Sequence, residues 1–221
     1  RPLSPRGFFV SMTYTLHHHR QLCDSLTPVQ AYLLLRDEGA ASTLFESTDY
    51  HSREDAHSVV AIRPLETLSL SRSDMMDVDY AEAIQSFLKG IECEGASTHS
   101  SFLGVYGTTD FEAVRAMDAD SRPHPGGNPD DVLVHYSLYR FVMMFDHFKQ
   151  VLDFWEFCPQ GEDSQLPYLL KRLASPAPAP ARFMKSGAVE STLTRNEFED
   201  MVRAGIRQCR EGEVFQVVYS R

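Results

Sequence analysis

The chain has 221 residues, 43% hydrophobic and 24% charged, a balance that suits one large globular domain, or one and a half smaller ones, and excludes a wholly disordered chain. With 31 acidic against 21 basic residues the formal charge is −10, and no basic stripe offsets it, so nucleic acid is excluded as a partner on charge. No apolar run approaches the roughly 20 residues of a membrane span, and the N-terminal residues hold no apolar core of signal-peptide length; the sequence reads as a soluble, cytoplasmic protein without a membrane partner.

The first methionine is Met12, and residues 1–11 are set aside from the fold as an extension. His17, His18 and His19 are adjacent rather than spaced to meet one ion from a helix face, so a polar strand or loop end is expected. Thr27-Pro28-Val29-Gln30 is a helix start. Threonine caps, proline takes the first helical position, where no N–H is needed, and glutamine returns the capping bond. That helix carries Tyr32, Leu33, Leu34 and Leu35 and stops near Gly39. Strands are predicted over 43–47, 58–63 and 66–72; in the last, Leu68 and Leu70 alternate with Thr67, Ser69 and Ser71. Asp79 caps a second helix, in which Ile84, Phe87, Leu88 and Ile91 keep helical spacing before Gly95.

A short strand over 102–106, a short helix over 110–117 and a loop over 122–131 come next. Residues 132–146 and 150–157 are long apolar strands separated by a few residues, which predicts a hairpin. A third amphipathic helix covers 165–173, with Leu166, Leu169, Leu170 and Leu173 on one face. Alternating proline and alanine over 175–181 can join neither a helix nor a central strand, and read as a semi-extended spacer. Thr194-Arg195-Asn196-Glu197 is a full capping box. The helix behind it carries Phe198, Met201, Val202, Ile206 and Cys209 on one face, and Gly212 ends it. A strand is predicted over 214–219, and its ladder groups need partners from further chain, so the sequence is expected to be truncated. The four cysteines, at positions 23, 93, 158 and 209, form no CxxC pair and are expected to be reduced and mostly buried.

The run Glu211-Gly-Glu-Val-Phe-Gln-Val-Val-Tyr-Ser-Arg221 resembles chorismate-utilising enzymes, specifically anthranilate synthase component I. Leu44-Phe-Glu-Ser-Thr-Asp49 resembles that family's Leu-Leu-Glu-Ser block. Residues 105–115 look like its glycine-tyrosine block, and 141–148 like its strand ending in Asp-His. The resemblance runs in order from about residue 25 to 221. It implies an α+β fold, the N-terminal part of a two-sheet β-sandwich with outer helices, truncated at the C-terminus. The expected organisation is an extension and first strand over 1–24, a regulatory-type domain over 25–174, a Pro/Ala linker over 175–182, and the start of the chorismate-binding catalytic domain over 183–221.

The implied activity belongs to tryptophan biosynthesis: chorismate and ammonia, the latter from glutamine through an amidotransferase partner subunit, give anthranilate and pyruvate. Magnesium is the implied cofactor, with its ligands beyond residue 221, so the chain alone is expected to be inactive. The rivals are aminodeoxychorismate synthase component I of the folate branch and a non-catalytic amino-acid-binding regulatory fragment.

Gln216 shares a predicted strand face with Val214 and Val218, where an amide must find partners or cost roughly 1–3 kcal/mol. Its bland role is a core amide satisfied by backbone. By the resemblance it orients ammonia, which needs no deprotonation, where water-adding relatives carry a lysine base. Glu46 and Ser47 are either a solvated strand end or, by the resemblance, part of a feedback site for L-tryptophan as inhibitor. A carboxylate and a hydroxyl suit the amino group of such a ligand. Thr48 would line the same site, and His57 stands where some members carry lysine. Asp110 and Glu112 are expected to cap or solvate a short helix, and Asp146-His147 to form a hairpin turn, since adjacent strand residues face opposite ways. No G-x-S-x-G elbow and no Gly-rich phosphate loop is present.

Overall fold

A computed structural model describes residues 12–47, 56–95, 101–114, 127–176, 178–179 and 182–220, and the backbone of residues 2–3. The chain divides into two compact units, Arg1–Ala179 and Pro180–Arg221.

The first unit is α+β. In chain order it contains β1 (Pro2–Leu3), β2 (Met12–Leu22), α1 (Pro28–Leu35), β3 (Ser42–Phe45), β4 (His57–Ser71), α2 (Tyr80–Lys89), β5 (Ile91–Gly95), β6 (Val105–Thr109), β7 (Val132–Asp146), β8 (Val151–Pro159) and α3 (Leu166–Leu173). Among the described residues these strands form one hydrogen-bonded sheet in the order β1-β4-β7-β8-β2-β5, with β3 added to β4 and β6 to β7. The ladders are antiparallel except β1–β4 and β2–β5.

Local chemistry starts the helices as the sequence requires. Thr27 Oγ1 accepts the Gln30 N–H at 3.1 Å while the Gln30 amide oxygen accepts the Thr27 N–H at 3.0 Å. Asp79 accepts the Glu82 N–H at 2.8 Å. The second helix ends at Lys89, capped by Gly90, and not at Gly95; residues 91–95 instead form β5 beside β2.

The expected strands over 58–63 and 66–72 are one bent strand. β4 slips register between Pro64 and Glu66, and Arg63 holds φ 59°. Proline, which offers no N–H, sits at the bulge. The Arg63 guanidinium holds the bend by donating to the Glu38 carbonyl and carboxylate, both at 2.9 Å. Residues 102–104 do not join the short strand, which begins at Val105. The short helix is a single 3-10 turn over Phe111–Ala113, and residues 115–117 lie outside the described residues. Nor is the extreme N-terminus wholly outside the fold, since Pro2 and Leu3 pair with Thr67 and Leu68.

Alternation along β4 and β7 splits the core. Val60, Ile62, Phe141 and Met143 face the leucines of α1 and α3. Val59, Ala61, Val142 and Met144 face a second cluster with Tyr14, Trp155 and Phe157. A third cluster places Phe87 of α2 on Leu68, Leu70 and Val134. Two buried carboxylates tie β8 to its neighbours. Asp153 accepts both arms of Arg20 and the His18 Nε2, each at 2.7 Å. Glu156 accepts Arg140 Nε at 2.9 Å and the Gln165 and Leu166 N–H groups that open α3. His18, in the histidine run, therefore belongs to strand β2, and its ring stacks on Trp155 at 5.1 Å.

The second unit contains α4 (Arg195–Glu211), with its Thr194–Glu197 capping box and Gly212 in the left-handed conformation. The cysteines correct one expectation: Cys158 is buried and Cys23 half-buried, but Cys93 and Cys209 are exposed. Cys93 lies on edge strand β5, which has no neighbour on its outer side among the described residues.

Candidate functional site

β3 carries the Glu46–Ser47 pair out of the sheet. Its last ladder pair is Phe45 with Val59, and the same antiparallel register extended by two residues sets Ser47 alongside His57. Two of the four candidate ligand residues, Ser47 just past the end of β3 and His57 at the start of β4, are therefore brought side by side. Glu46 is exposed, Ser47 half-buried, and Thr48 lies outside the described residues.

His57 is the direct β-ladder partner of Asp146, with Nε2 3.7 Å from Oδ2. Asp146 closes the β7–β8 hairpin by accepting the N–H groups of Phe148 and Lys149 at 3.1 and 2.8 Å and the Lys149 Nζ at 3.0 Å. Burial by itself pushes the Asp146 carboxyl pKa up. The bonds and charge of Lys149, with the nearby His57, outweigh it and hold the group below the ordinary aspartate value. The expected turn role of Asp146 is what the geometry shows. His147 faces elsewhere, its Nε2 2.8 Å from Ser58 Oγ, and Ser58 Oγ also accepts the Ser47 N–H at 3.1 Å.

Aromatic rings stand beside these groups. Phe102 lies 4.9 Å from the His57 ring, and Phe45 lies 5.7 Å from Tyr106. The Tyr106 hydroxyl donates to the Phe102 carbonyl, and burial pushes its pKa to about 12, so it remains a donor at neutral pH. β6 can hold these rings here because Gly107 runs against β7. A Cβ at 107 would stand 1.8 Å from the His135 carbonyl oxygen, so glycine alone fits. The Ser47 hydroxyl and the His57 imidazole with its Asp146 carboxylate, beside aromatic rings, can receive an ammonium at one side and a flat apolar group at the other. Sequence reasoning missed Ser58, Phe102 and Tyr106, because only the pairing of β3, β4, β6 and β7 gathers them; the Asp-His end of β7 was the one signal available.

Gln216 lies in the second unit. The strand predicted over 214–219 is absent: residues 214–220 are irregular chain, and Gln216 is exposed rather than set between two valines. A strand sequence needs a ladder partner, and the described residues of this unit contain no other strand. Tyr219 instead lies on α4 at Gly205, where a Cβ would meet its Cε2 at 2.4 Å. Among the described residues no three His, Cys, Asp or Glu side chains are grouped to hold a metal ion. No helix among the described residues is long and apolar enough to cross a membrane.

Residues 44–221 match the family model of chorismate binding enzymes, and the chain belongs to that family. It is similar to anthranilate synthase component 1 of Thermus thermophilus, with 25% identity over 213 residues, covering 90% of this chain and 45% of that protein. It is likewise 25% identical over 224 residues to anthranilate synthase component 1 of Lactococcus lactis subsp. lactis, covering 90% of this chain and 46% of that protein. The chain thus spans about half the length of the curated relatives it matches.

Proposed function

We propose that this chain is the N-terminal portion of a cytoplasmic anthranilate synthase component I, and that its first unit forms a feedback site for L-tryptophan. The whole protein converts chorismate and ammonia to anthranilate and pyruvate, with ammonia delivered by a glutamine amidotransferase subunit. Its fold is the two-sheet sandwich to which the first unit contributes its sheet. The observation that carries this reading is the family match running across both units, with relatives of that name aligned over 90% of the chain. The magnesium ligands and the rest of the chorismate pocket are assigned to the half of such proteins that this chain does not span.

In the first unit, the Glu46 carboxylate receives the ligand ammonium, Ser47 orients it, Thr48 and His57 line the pocket, and Phe102 and Tyr106 flank the indole. In the second unit, Gln216 orients ammonia once a pairing strand orders residues 214–219. Magnesium, when bound in the whole protein, supplies positive charge to the chorismate carboxylates.

Anthranilate fluorescence tests the reading. A protein of the relatives' length should form anthranilate from chorismate, ammonia and magnesium, and residues 1–221 alone should not. Aminodeoxychorismate as the product would move the protein to the folate branch. Turnover by the 221-residue chain that Gln216→Ala abolishes would show that this half holds the chemistry itself.

A further inference from the structure

We propose that Ser58 and His147 are positioning residues for the amino-acid site, acting through a hydrogen-bonded chain that runs from the β7–β8 turn to the backbone of Ser47. The inference rests on the reading of Glu46 and Ser47 as that site. Ser58 has no exposure, and it lies on the sheet face whose neighbouring positions are Val60 and Ile62. A hydroxyl there costs free energy unless it is partnered on its own terms. It has two partners from distant chain: the Ser47 N–H at 3.1 Å and the His147 Nε2 at 2.8 Å. The backbone of His147 is itself held, its amide N–H donating to the Ala56 carbonyl at 3.0 Å.

The position of the bond to Ser47 gives it meaning. The β3–β4 ladder ends at Phe45 and Val59, so Ser47 lies two residues past the last backbone pair. There a side chain takes the part of a ladder carbonyl. The backbone N–H of Ser47 is occupied by Ser58, which leaves the Ser47 side chain and the Glu46 carboxylate as the groups offered to a ligand. One anchor sets how that dipeptide leaves the sheet. Without it, the pair would have to be ordered by the ligand, and affinity would fall by the cost of that ordering.

The fold has less at stake. Ser58→Ala puts a methyl group on an apolar face, and the N–H it releases belongs to a half-buried residue that water can reach. Loss of affinity should therefore exceed loss of stability. L-Tryptophan is titrated calorimetrically into the 221-residue chain and into Ser58→Ala, His147→Ala and His147→Gln, with melting temperatures taken without ligand. Ser58→Ala should bind roughly tenfold more weakly while melting within a few degrees of the parent. His147→Ala should weaken binding as well, and His147→Gln, whose amide reaches the place of Nε2, should restore most of it. Wild-type affinity in Ser58→Ala overturns the positioning role. Equal loss in both His147 variants removes His147 from the chain. No binding by the parent overturns the amino-acid-site reading itself, and this inference with it.

Discussion

Glu156 has no exposure and sits among four donor groups: Arg140 Nε, Ser164 Oγ at 2.6 Å, and the N–H groups of Gln165 and Leu166. It is the N-terminal cap of α3, delivered from a strand, because Gln165 makes no side-chain cap of its own. Burial raises its pKa, but Ser164, Gln165 and Arg140 outweigh that and hold it below the ordinary 4.5. Its contribution to stability is therefore present above the unfolded value and is lost as pH falls through the lower folded value. Glu156→Gln should lower unfolding free energy at pH 7 by about 2 kcal/mol, because it removes a charged acceptor and leaves the buried Arg140 with the exposed Glu162, at 2.6 Å, as its carboxylate partner. In urea titrations the gap between parent and variant should narrow as pH drops below 4.5. A gap constant with pH would mean that the carboxylate charge is not what matters. Ser47→Arg tests a residue of the proposed ligand site. It adds bulk and a positive charge where an ammonium is to bind, so L-tryptophan affinity should weaken by the equivalent of ~1–3 kcal/mol. Equal affinity for mutant and parent would place Ser47 outside the site.

At the scale of elements, two glycines lead to opposite expectations. Gly107 of β6 faces the backbone of β7, where a Cβ would meet the His135 carbonyl at 1.8 Å. Backbone cannot step aside without breaking the ladder, so Gly107→Ala should destabilise the first unit by at least about 2 kcal/mol. It should also speed hydrogen exchange at the Tyr106 and Thr108 amides, which face β7 in the alternation set by the Asp110 N–H bond to the Leu133 carbonyl, and weaken tryptophan binding, since β6 carries Tyr106. Unchanged exchange there would show that β7 yields. Gly205 of α4 faces the far end of the Tyr219 side chain, which can swing away. Alanine also favours helix over glycine by roughly 0.5–1 kcal/mol. Gly205→Ala should thus raise α4 helicity by circular dichroism and release Tyr219; a fall in helicity would mean that the ring holds the helix in place.

Over the whole chain the two units differ in what sustains them. The first has three buried clusters that enclose both faces of its sheet. In α4 the only fully buried residue is Gly205, so that helix rests on its caps and on the 17 residues it spans. Arg182 and Lys185 lie in exposed irregular chain of the second unit, ahead of α4. Limited trypsin digestion should cut there first and leave a resistant fragment ending near Arg182, with α4 degraded soon after its release. Earlier cleavage inside β7 or β8 would contradict the first unit's stability.

Capping boxes at Thr27 and Thr194, the Asp79 cap and the turn between β7 and β8 were readable in the sequence, because each signal lies within a few residues of the structure it directs. Family membership was readable for a similar reason, in short blocks kept in order. The strand predicted over 214–219 is not formed in this chain because its apolar alternation states a propensity, and only a neighbour turns propensity into a ladder. Pairing across long separations was not readable at all. His18 meets Asp153 across 135 residues and Ser58 meets His147 across 89, and nothing in either local sequence names the other. So the sequence by itself determined where helices begin, which segments can be strands, and to which family the chain belongs. Tertiary structure alone decided which strand ends meet, and thereby that Ser47, His57, Asp146 and the rings of Phe102 and Tyr106 share one place: register is set by burying whole faces at once, a property of the assembled sheet and of no single segment.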